Sequence, residues 1–226
     1  MGSRFTNPDS AAAMRRRNPL TTMKAVVVLF YAVGLSGLLI TFSRSLFLSL
    51  FPYFLFINAI VLGYFHTGTC NRKALVICIL VFISAILVEA IGVKTGMIFG
   101  KYHYGNSLGL KIFETPVVIG INWLMLVYMT SGILERVNLP DLFRVLIASA
   151  GMLLYDVVLE QVAPRTDMWY WQGNQVPFQN YVAWFAVAVI FHSVVKLAGI
   201  RTTNPLSGVV FACQFLFFLL LFIFLR

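Results

Sequence analysis

Long runs of apolar residues, separated by short polar stretches, dominate this sequence. A membrane-spanning helix needs about 20 mostly apolar residues. Runs of about that length recur at 24–41, 46–65, 74–91, 115–134, 142–162, 181–199 and 206–225. The pattern predicts an all-α fold, a polytopic membrane helix bundle of about seven transmembrane helices. Pro52 and Asn58 interrupt the second run, which predicts a kink there.

The polar stretches divide into a tail and two long loops. Residues 1–23 form a polar, basic tail, of which we expect 1–17 to be disordered, and residues 24–226 form a single integral-membrane domain. The connections near 92–114 and 163–180 are rich in Gly, Tyr and Trp. Long loops are usually functional or disordered, and the aromatic content argues against disorder. For any single ring, a simple interfacial aromatic belt stays an alternative.

Lys and Arg are more frequent on the cytoplasmic side of membrane proteins, so they predict orientation. With the N-terminus inside, the larger basic set is cytoplasmic: Arg4, Arg15, Arg16, Arg17, Lys24, Arg72, Lys73, Arg136, Arg144, Lys196 and Arg201. The external set is Arg44, Lys94, Lys101, Lys111, Arg165 and Arg226. We therefore expect a multi-pass protein of the cell (inner) membrane, with a cytoplasmic N-terminus and both aromatic-rich loops on the outer face.

Composition agrees with a membrane protein. The chain is 60% hydrophobic and 11% charged, whereas a soluble domain is nearer a quarter charged. The net charge of +9 comes from basic residues between the apolar runs, where topology requires them, so no nucleic-acid partner is predicted. No His or Cys pair has metal-ligand spacing, so we expect no metal, and no Gly-rich phosphate loop occurs.

Acidic residues are few, and half of them fall in or beside apolar runs. The chain has eight, among them Glu89, Glu114, Asp156 and Glu160. A carboxyl group inside a membrane is costly, so each such residue is by default a functional-site hypothesis.

Several polar side chains are predicted to lie at one depth. With a rise of about 1.5 Å per residue, Glu89 is roughly 23 Å and Asp156 about 21 Å from the inner ends of their helices. Asn122 and Trp123 lie about two turns, and Trp184 about one turn, inside the outer ends of theirs. This predicts a pocket in the outer half of the membrane, below the two aromatic-rich loops.

Asp156 and Glu160 are spaced i, i+4 and share a helix face. Two carboxyl groups at such a short distance in an apolar medium oppose each other's ionisation, so we expect one of them to stay protonated near neutral pH. A protonated carboxyl in an apolar pocket is a candidate general acid. Two structural alternatives stay open: Glu160 marks a helix end in water, or Asp156 and Glu89 only hydrogen-bond neighbouring helices.

Two blocks of residues, over roughly 25–220, resemble the carotenoid biosynthesis protein family, which includes bacterial carotenoid hydratases and archaeal bisanhydrobacterioruberin hydratases. The first block is Glu89, Gly92, Thr95, Gly96, Phe99, Gly100, Tyr102, His103, Tyr104, Leu108, Gly109, Pro116 and Trp123. The second is Asp156, Glu160, Ala163, Trp169, Tyr170, Trp171, Pro177, Asn180 and Trp184. The family often has Pro where this chain has Gln161, which is expected to change how the fifth helix ends.

The resemblance implies a cofactor-free hydratase, a hydro-lyase of the carotenoid 1,2-hydratase type. Its expected substrates are water and an acyclic or monocyclic carotenoid such as lycopene or gamma-carotene; membrane lipid and other carotenoid-pathway enzymes are expected partners. The candidate catalytic residues are Glu89, Asp156 and Glu160. The candidate substrate-binding residues are Tyr102, His103, Tyr104, Asn122, Trp123, Trp169, Trp171, Asn180 and Trp184.

The residue types suggest a mechanism for such a reaction. A buried acid protonates the terminal double bond, and charge develops on the tertiary carbon. The faces of Trp123, Trp171 and Trp184 attract that cation, and a second carboxylate deprotonates the attacking water.

Three other functions remain as alternatives. A carotenoid cyclase would share the protonation but would add no water. An intramembrane prenyltransferase would need a second Asp-rich motif besides Asp156-x-x-x-Glu160. A proton-coupled transporter or carotenoid-binding scaffold suits intramembrane acids, but no inverted repeat is visible.

Overall fold

The computed structural model describes the backbone of residues 8–225 and the side chains of residues 19–225. This part of the chain is mostly helical. In chain order its elements are α1 (Pro8–Leu39), α2 (Arg44–Ser49), α3 (Phe51–Tyr64), α4 (Arg72–Thr95), β1 (Tyr102–Tyr104), β2 (Lys111–Ile112), β3 (Thr115–Pro116), α5 (Val117–Leu134), α6 (Asp141–Val162), β4 (Trp169–Trp171), α7 (Phe178–Leu197) and α8 (Ser207–Phe224).

Six helices in the described part are long and apolar enough to cross a membrane: α1 from Pro19, α4, α5, α6 with the 3-10 turn Ala163–Thr166, α7 and α8. The protein is therefore a multi-pass membrane protein. The observed helix bounds differ by a few residues from the predicted ones. An apolar run shows that a span exists, but it does not fix the residues at which the helix begins and ends.

The second predicted span, 46–65, is not one long helix. It is divided at Leu50 into the six-residue α2 and the 14-residue α3. Pro52 is the second residue of α3, a helix-start position where its missing backbone N–H leaves no hydrogen bond unmade, whereas inside a continuous helix it would remove one. The predicted kink is present at Pro52, whereas Asn58 bonds the carbonyl of Phe54 within its own helix.

Helix α3 nevertheless reaches from one end of the bundle to the other. Near its start, Pro52 lies against Gly109, where an added Cβ would be 2.9 Å from the proline ring. Just beyond its end, the backbone N–H of Thr67 donates to the carbonyl of Thr203, before α8. Its 14 residues are about 21 Å long, less than the roughly 30 Å of a bilayer core.

The expectation of a disordered tail over 1–17 is wrong from residue 8 onward. Helix α1 begins at Pro8 and continues through Pro19 into the apolar segment. Once the apolar segment has formed a helix, each further residue adds a hydrogen bond without a new nucleation cost. Residues 1–7 and residue 226 lie outside the described residues.

Helix α5 is the centre of the bundle. It packs against α3, α4, α6, α7 and α8, and 61% of its residues are buried, compared with 22–39% in the other long helices. Apolar side chains on the outer faces of the peripheral helices, such as Leu80 and Ile190, are exposed, as expected of a lipid-facing surface.

The two long loops meet at one end of the bundle. Strand β1 comes from the connection after α4, strand β4 from the connection after α6, and the two pair antiparallel. Strands β2 and β3 form a second small antiparallel pair directly before α5. The ends of α4 and α6 and the starts of α5 and α7 are therefore brought together below the β1–β4 pair.

Candidate active site

The β1–β4 pair decides which aromatic side chains face the helices. Its register pairs Tyr102 with Trp171, His103 with Tyr170, and Tyr104 with Trp169. Because side chains alternate between the faces of a strand, the outer two pairs are buried and the middle pair points away. The two tyrosines and two tryptophans thus form a roof over the helix ends.

Glu89 is buried beneath this roof, one and a half turns before the end of α4. Its Oε2 accepts hydrogen bonds from the hydroxyls of Tyr102, at 2.6 Å, and Tyr104, at 2.8 Å. Its Oε1 accepts from the indole N–H of Trp123, at 2.9 Å. Three donors from two other elements therefore hold this carboxyl group.

Gly92, which follows Glu89 on α4, leaves room for the rings of the roof to pack against this helix. Gly92 lies one turn along α4, and an added Cβ there would be 2.6 Å from the ring of Phe99 and 3.5 Å from the Tyr102 hydroxyl. A side chain at this position would push both rings away from the carboxyl group.

The second carboxyl site, on α6, is a pair formed by Glu160 and Asp156. The Oε2 of Glu160 accepts from the indoles of Trp169, at 2.9 Å, and Trp171, at 2.7 Å. The amide nitrogen of Asn180 donates to Glu160 Oε1, at 3.1 Å, and to Asp156 Oδ2, at 3.0 Å. The other oxygen of Asp156 is buried and has no hydrogen-bond partner.

A cavity of about 20 Å³ lies between the two carboxyl sites, and it is lined by both Glu89 and Glu160. This volume is enough for one water molecule. The other lining residues are Phe99, Tyr102, Tyr104, Ile119, Asn122, Leu159, Trp169, Trp171, Asn180 and Trp184. Asp156 does not line the cavity and lies behind Asn180.

Asn122 on α5 and Trp184 on α7 belong to the cavity wall, and other side chains of the bundle support them from behind. The indole rings of Trp123 on α5 and Trp184 on α7 stack with their centroids 4.0 Å apart. Asn122 accepts from Gln214 on α8, which also donates to the hydroxyl of Tyr155. These hydrogen bonds extend the polar network of the site into the bundle core.

The site is acidic and is surrounded by neutral donors. The ion pairs of the described residues involve Asp141, at the far end of α6, and Lys111 donates to the backbone carbonyl of Tyr104 instead of a carboxylate. Burial raises the pKa of Tyr102 and Tyr104 well above the ordinary value, and Glu89 raises it further. Both phenols therefore stay protonated and keep donating at alkaline pH.

Eleven of the twelve candidate residues from the sequence come together here, and His103 does not. It is exposed on the outer face of β1, where its ring stacks on Tyr170 with centroids 5.4 Å apart. Glu114 is not part of the site either, since it is exposed in the turn between β2 and β3. In residues 19–225, no three His, Cys, Asp or Glu side chains form a group that could hold a metal ion.

Five residues at the site were not among the candidates from the sequence: Phe99, Ile119, Tyr155, Leu159 and Gln214. Gln214 carried a usable signal, because it is a polar residue in the middle of the last apolar run. Tyr155 directly precedes Asp156 but points to another neighbour, so its position depends on the packing of α8 against α6.

A family profile described as "Carotenoid biosynthesis protein" matches residues 50–226, which include every residue of the site. The chain belongs to the carotenoid biosynthesis protein family. The resemblance seen in the two sequence blocks is thereby confirmed.

One relative is the bisanhydrobacterioruberin hydratase of Haloarcula japonica. It is 29% identical over 119 residues, which cover 46% of this chain and 39% of the relative. The match thus spans well under half the length of that protein. No solved structure matches the chain.

Proposed function

We propose that this protein is a cofactor-free carotenoid hydratase that adds water to the terminal double bond of an acyclic carotenoid end, giving a tertiary alcohol. The observation that carries the proposal is the water-sized cavity between Glu89 and Glu160. Family membership and the hydratase name of a distant relative support the substrate class. A membrane-embedded site suits a substrate that dissolves in lipid.

Three carboxyl groups so close together cannot all be charged in a dry site that lacks a paired cation. The Asp156–Glu160 pair is best suited to hold the proton, because one oxygen of Asp156 has no donor to compensate a negative charge. Glu89 is best suited to remain a carboxylate, because its three donors serve it alone, whereas Glu160 shares the amide of Asn180 with Asp156.

These assignments define the acid step. Glu160, which lines the cavity, gives its proton to the outer carbon of the terminal double bond, and the π electrons form the new C–H bond. Positive charge is left on the tertiary carbon. The surrounding rings, among them Trp171 and Trp184, attract that charge by cation–π interaction. Asp156, linked to Glu160 through Asn180, keeps the proton within the pair between turnovers.

The base step follows on the other side of the cavity. The water bonds to the tertiary carbon through an oxygen lone pair and loses a proton to the Glu89 carboxylate. The alkene has then gained one hydrogen and one hydroxyl, the sum of one water. A proton returns from Glu89 to Glu160 before the next turnover, so the protein is unchanged.

The proposal is tested by expressing the full chain in cells that make lycopene or γ-carotene and by analysing the pigments by mass. The expected product is one water heavier than its precursor and requires Glu89. A product of unchanged mass with a shifted absorption spectrum would indicate a cyclase instead. Unchanged pigments, in cells where the protein is inserted and folded, would favour a transporter or a carotenoid-binding protein.

A further inference from the structure

We propose that the carotenoid end reaches the acids from the lipid through a groove between α1, α2 and α3. This inference rests on the proposed function for the identity of the occupant, a linear apolar polyene. It adds a substrate path, with a gate of three phenylalanine rings, to the water-sized cavity at the acids.

The outer part of the path is an apolar groove of about 140 Å³. Val33 on α1 and Ile57 on α3 line it and are 51% and 45% exposed on the lipid-facing side. Gly34 forms part of its floor, where an added Cβ would be 3.3 Å from the ring of Phe54. Leu50, at the break between α2 and α3, also lines the groove. The interrupted second span is therefore one wall of this opening.

Inside the groove lies an aromatic gate, formed by Phe51, Phe54 and Phe217. The ring centroids of Phe54 and Phe217 are 5.8 Å apart, and those of Phe51 and Phe217 are 6.3 Å apart. All three rings line the outer groove and also a second, inner cavity. They are thus the common wall between the two spaces.

The inner cavity leads to the acids. It is walled mostly by apolar side chains, and it shares Ile119, Asn122, Leu159 and Trp169 with the water-sized cavity beside Glu89 and Glu160. The order from lipid inward is groove, gate, inner cavity and acids. A linear polyene that passed through these spaces in this order would place only its end beside the acids.

The gate is closed in the structure. The inner cavity has a volume of about 20 Å³, enough for a water molecule and too small for a branched hydrocarbon end. Entry of the polyene therefore requires rotation of the gate rings. The segment between α2 and α3 has fewer backbone hydrogen bonds than a continuous helix, because Pro52 has no N–H to donate, so less has to be broken there when the gate rings move.

A second apolar groove is larger, about 250 Å³, but does not reach the acids. It lies between α3, α4, α5 and α7 near Cys70 and Arg201, and it shares no lining residue with the cavity beside Glu89. It serves as the internal control for the path.

The test places bulk in the groove and beside it. Ile57→Trp and Val33→Trp fill the proposed groove. Ile60→Trp puts the same ring on α3 at a site that is 56% exposed and lines neither groove, and Gly63→Phe fills the second groove, where an added Cβ has open space. Each variant is assayed for hydration at low carotenoid concentration. In a second set, each is combined with Glu89→Gln, and the carotenoid retained per folded protein is measured after purification.

We expect Ile57→Trp and Val33→Trp to lower both conversion and retention about tenfold, as if roughly two methylene groups of the polyene lost their burial. Ile60→Trp and Gly63→Phe should match the parent. Normal conversion and retention in Ile57→Trp and Val33→Trp, with conversion still abolished by Glu89→Gln, would overturn the path and leave the hydratase proposal intact. A loss in Gly63→Phe alone would overturn it in favour of the second groove. If the parent retains carotenoid without hydrating it, and Ile57→Trp prevents retention, the path holds and the hydratase proposal fails.

Discussion

Replacing Glu89 with Gln separates the chemistry of this carboxyl group from its structural role. The indole of Trp123 can only donate, whereas the hydroxyls of Tyr102 and Tyr104 can donate or accept. The Gln carbonyl can therefore face Trp123 while its NH₂ group donates to the two phenols. Every buried oxygen and nitrogen keeps a partner, but the two phenol hydrogens lose the oxygen that accepted them, so we expect a change in the free energy of unfolding of about 1–3 kcal/mol.

The effect on turnover should be much larger. An amide cannot take a proton from water, and a positioned general base contributes about 10²–10⁴ in rate. That range corresponds to roughly 3–5 kcal/mol in the activation free energy. The ratio of the two effects is the diagnostic quantity: a small loss of stability with a loss of at least about a hundredfold in turnover.

The assay uses purified protein in detergent with one carotenoid, and it reports hydrated product per folded protein, with thermal unfolding of each variant measured in parallel. Glu114→Gln is the matched control, because it makes the same chemical change at an exposed turn. Its turnover should equal that of the parent. If Glu89→Gln is folded and keeps turnover within about twofold of the parent, well short of the loss expected for a missing base, Glu89 is a structural residue and the base assignment is refuted.

Five further predictions concern three aromatic side chains, the need for a metal and the topology. Trp184→Phe should keep most turnover, while Trp184→Leu should raise the barrier by about 1–2 kcal/mol more, since only the ring attracts a cation; equal rates would remove this ring from the mechanism. Trp171→Phe should lose more turnover than Trp184→Phe, because it also removes a donor to Glu160; the same assay decides. His103→Ala should leave turnover unchanged, and a large loss would contradict the outward position of that ring. Hydration should survive exhaustive chelation, whereas loss restored by a divalent ion would favour the prenyltransferase alternative. A reporter fused at Gly173–Asn174 should read external, and a cytoplasmic signal would invert the predicted orientation.

The helices were predictable because lipid imposes a simple rule on sequence. A run such as Val117–Leu134 or Ser207–Phe224 has to satisfy its own backbone hydrogen bonds and present apolar side chains, so its composition marks it. The exception, 46–65, is also mostly apolar, and its hydropathy alone cannot reveal a division at Leu50. Only Pro52 carried that information.

The site was predictable to the extent that depth decides it. Equal distances along α4 and α6 bring Glu89 and Asp156 to one level, and that estimate needs no tertiary information. The pairing of β1 with β4 could not be obtained in this way, because their residues are more than 60 positions apart in sequence and the register between them decides which rings face inward. His103 was predicted as a site residue because it lies between Tyr102 and Tyr104. It is outside the cavity because successive side chains of a strand point to opposite faces.

The donors around the acids explain why the site is electrostatically suited to a cation. Glu89 and Glu160 are held by phenol, indole and amide groups, although the chain has 17 Lys and Arg residues and a net charge of +9. Neutral donors orient a carboxylate without cancelling its charge, whereas a paired Arg or Lys would repel a positive intermediate nearby. The remaining negative potential would therefore be available to a tertiary cation in the cavity, and protons shared among the carboxyl groups limit the cost of burying them. On this reasoning, introducing a Lys or Arg beside the cavity would stabilise the carboxylates and slow the reaction, so holding the acids with uncharged groups is a requirement of the proposed chemistry.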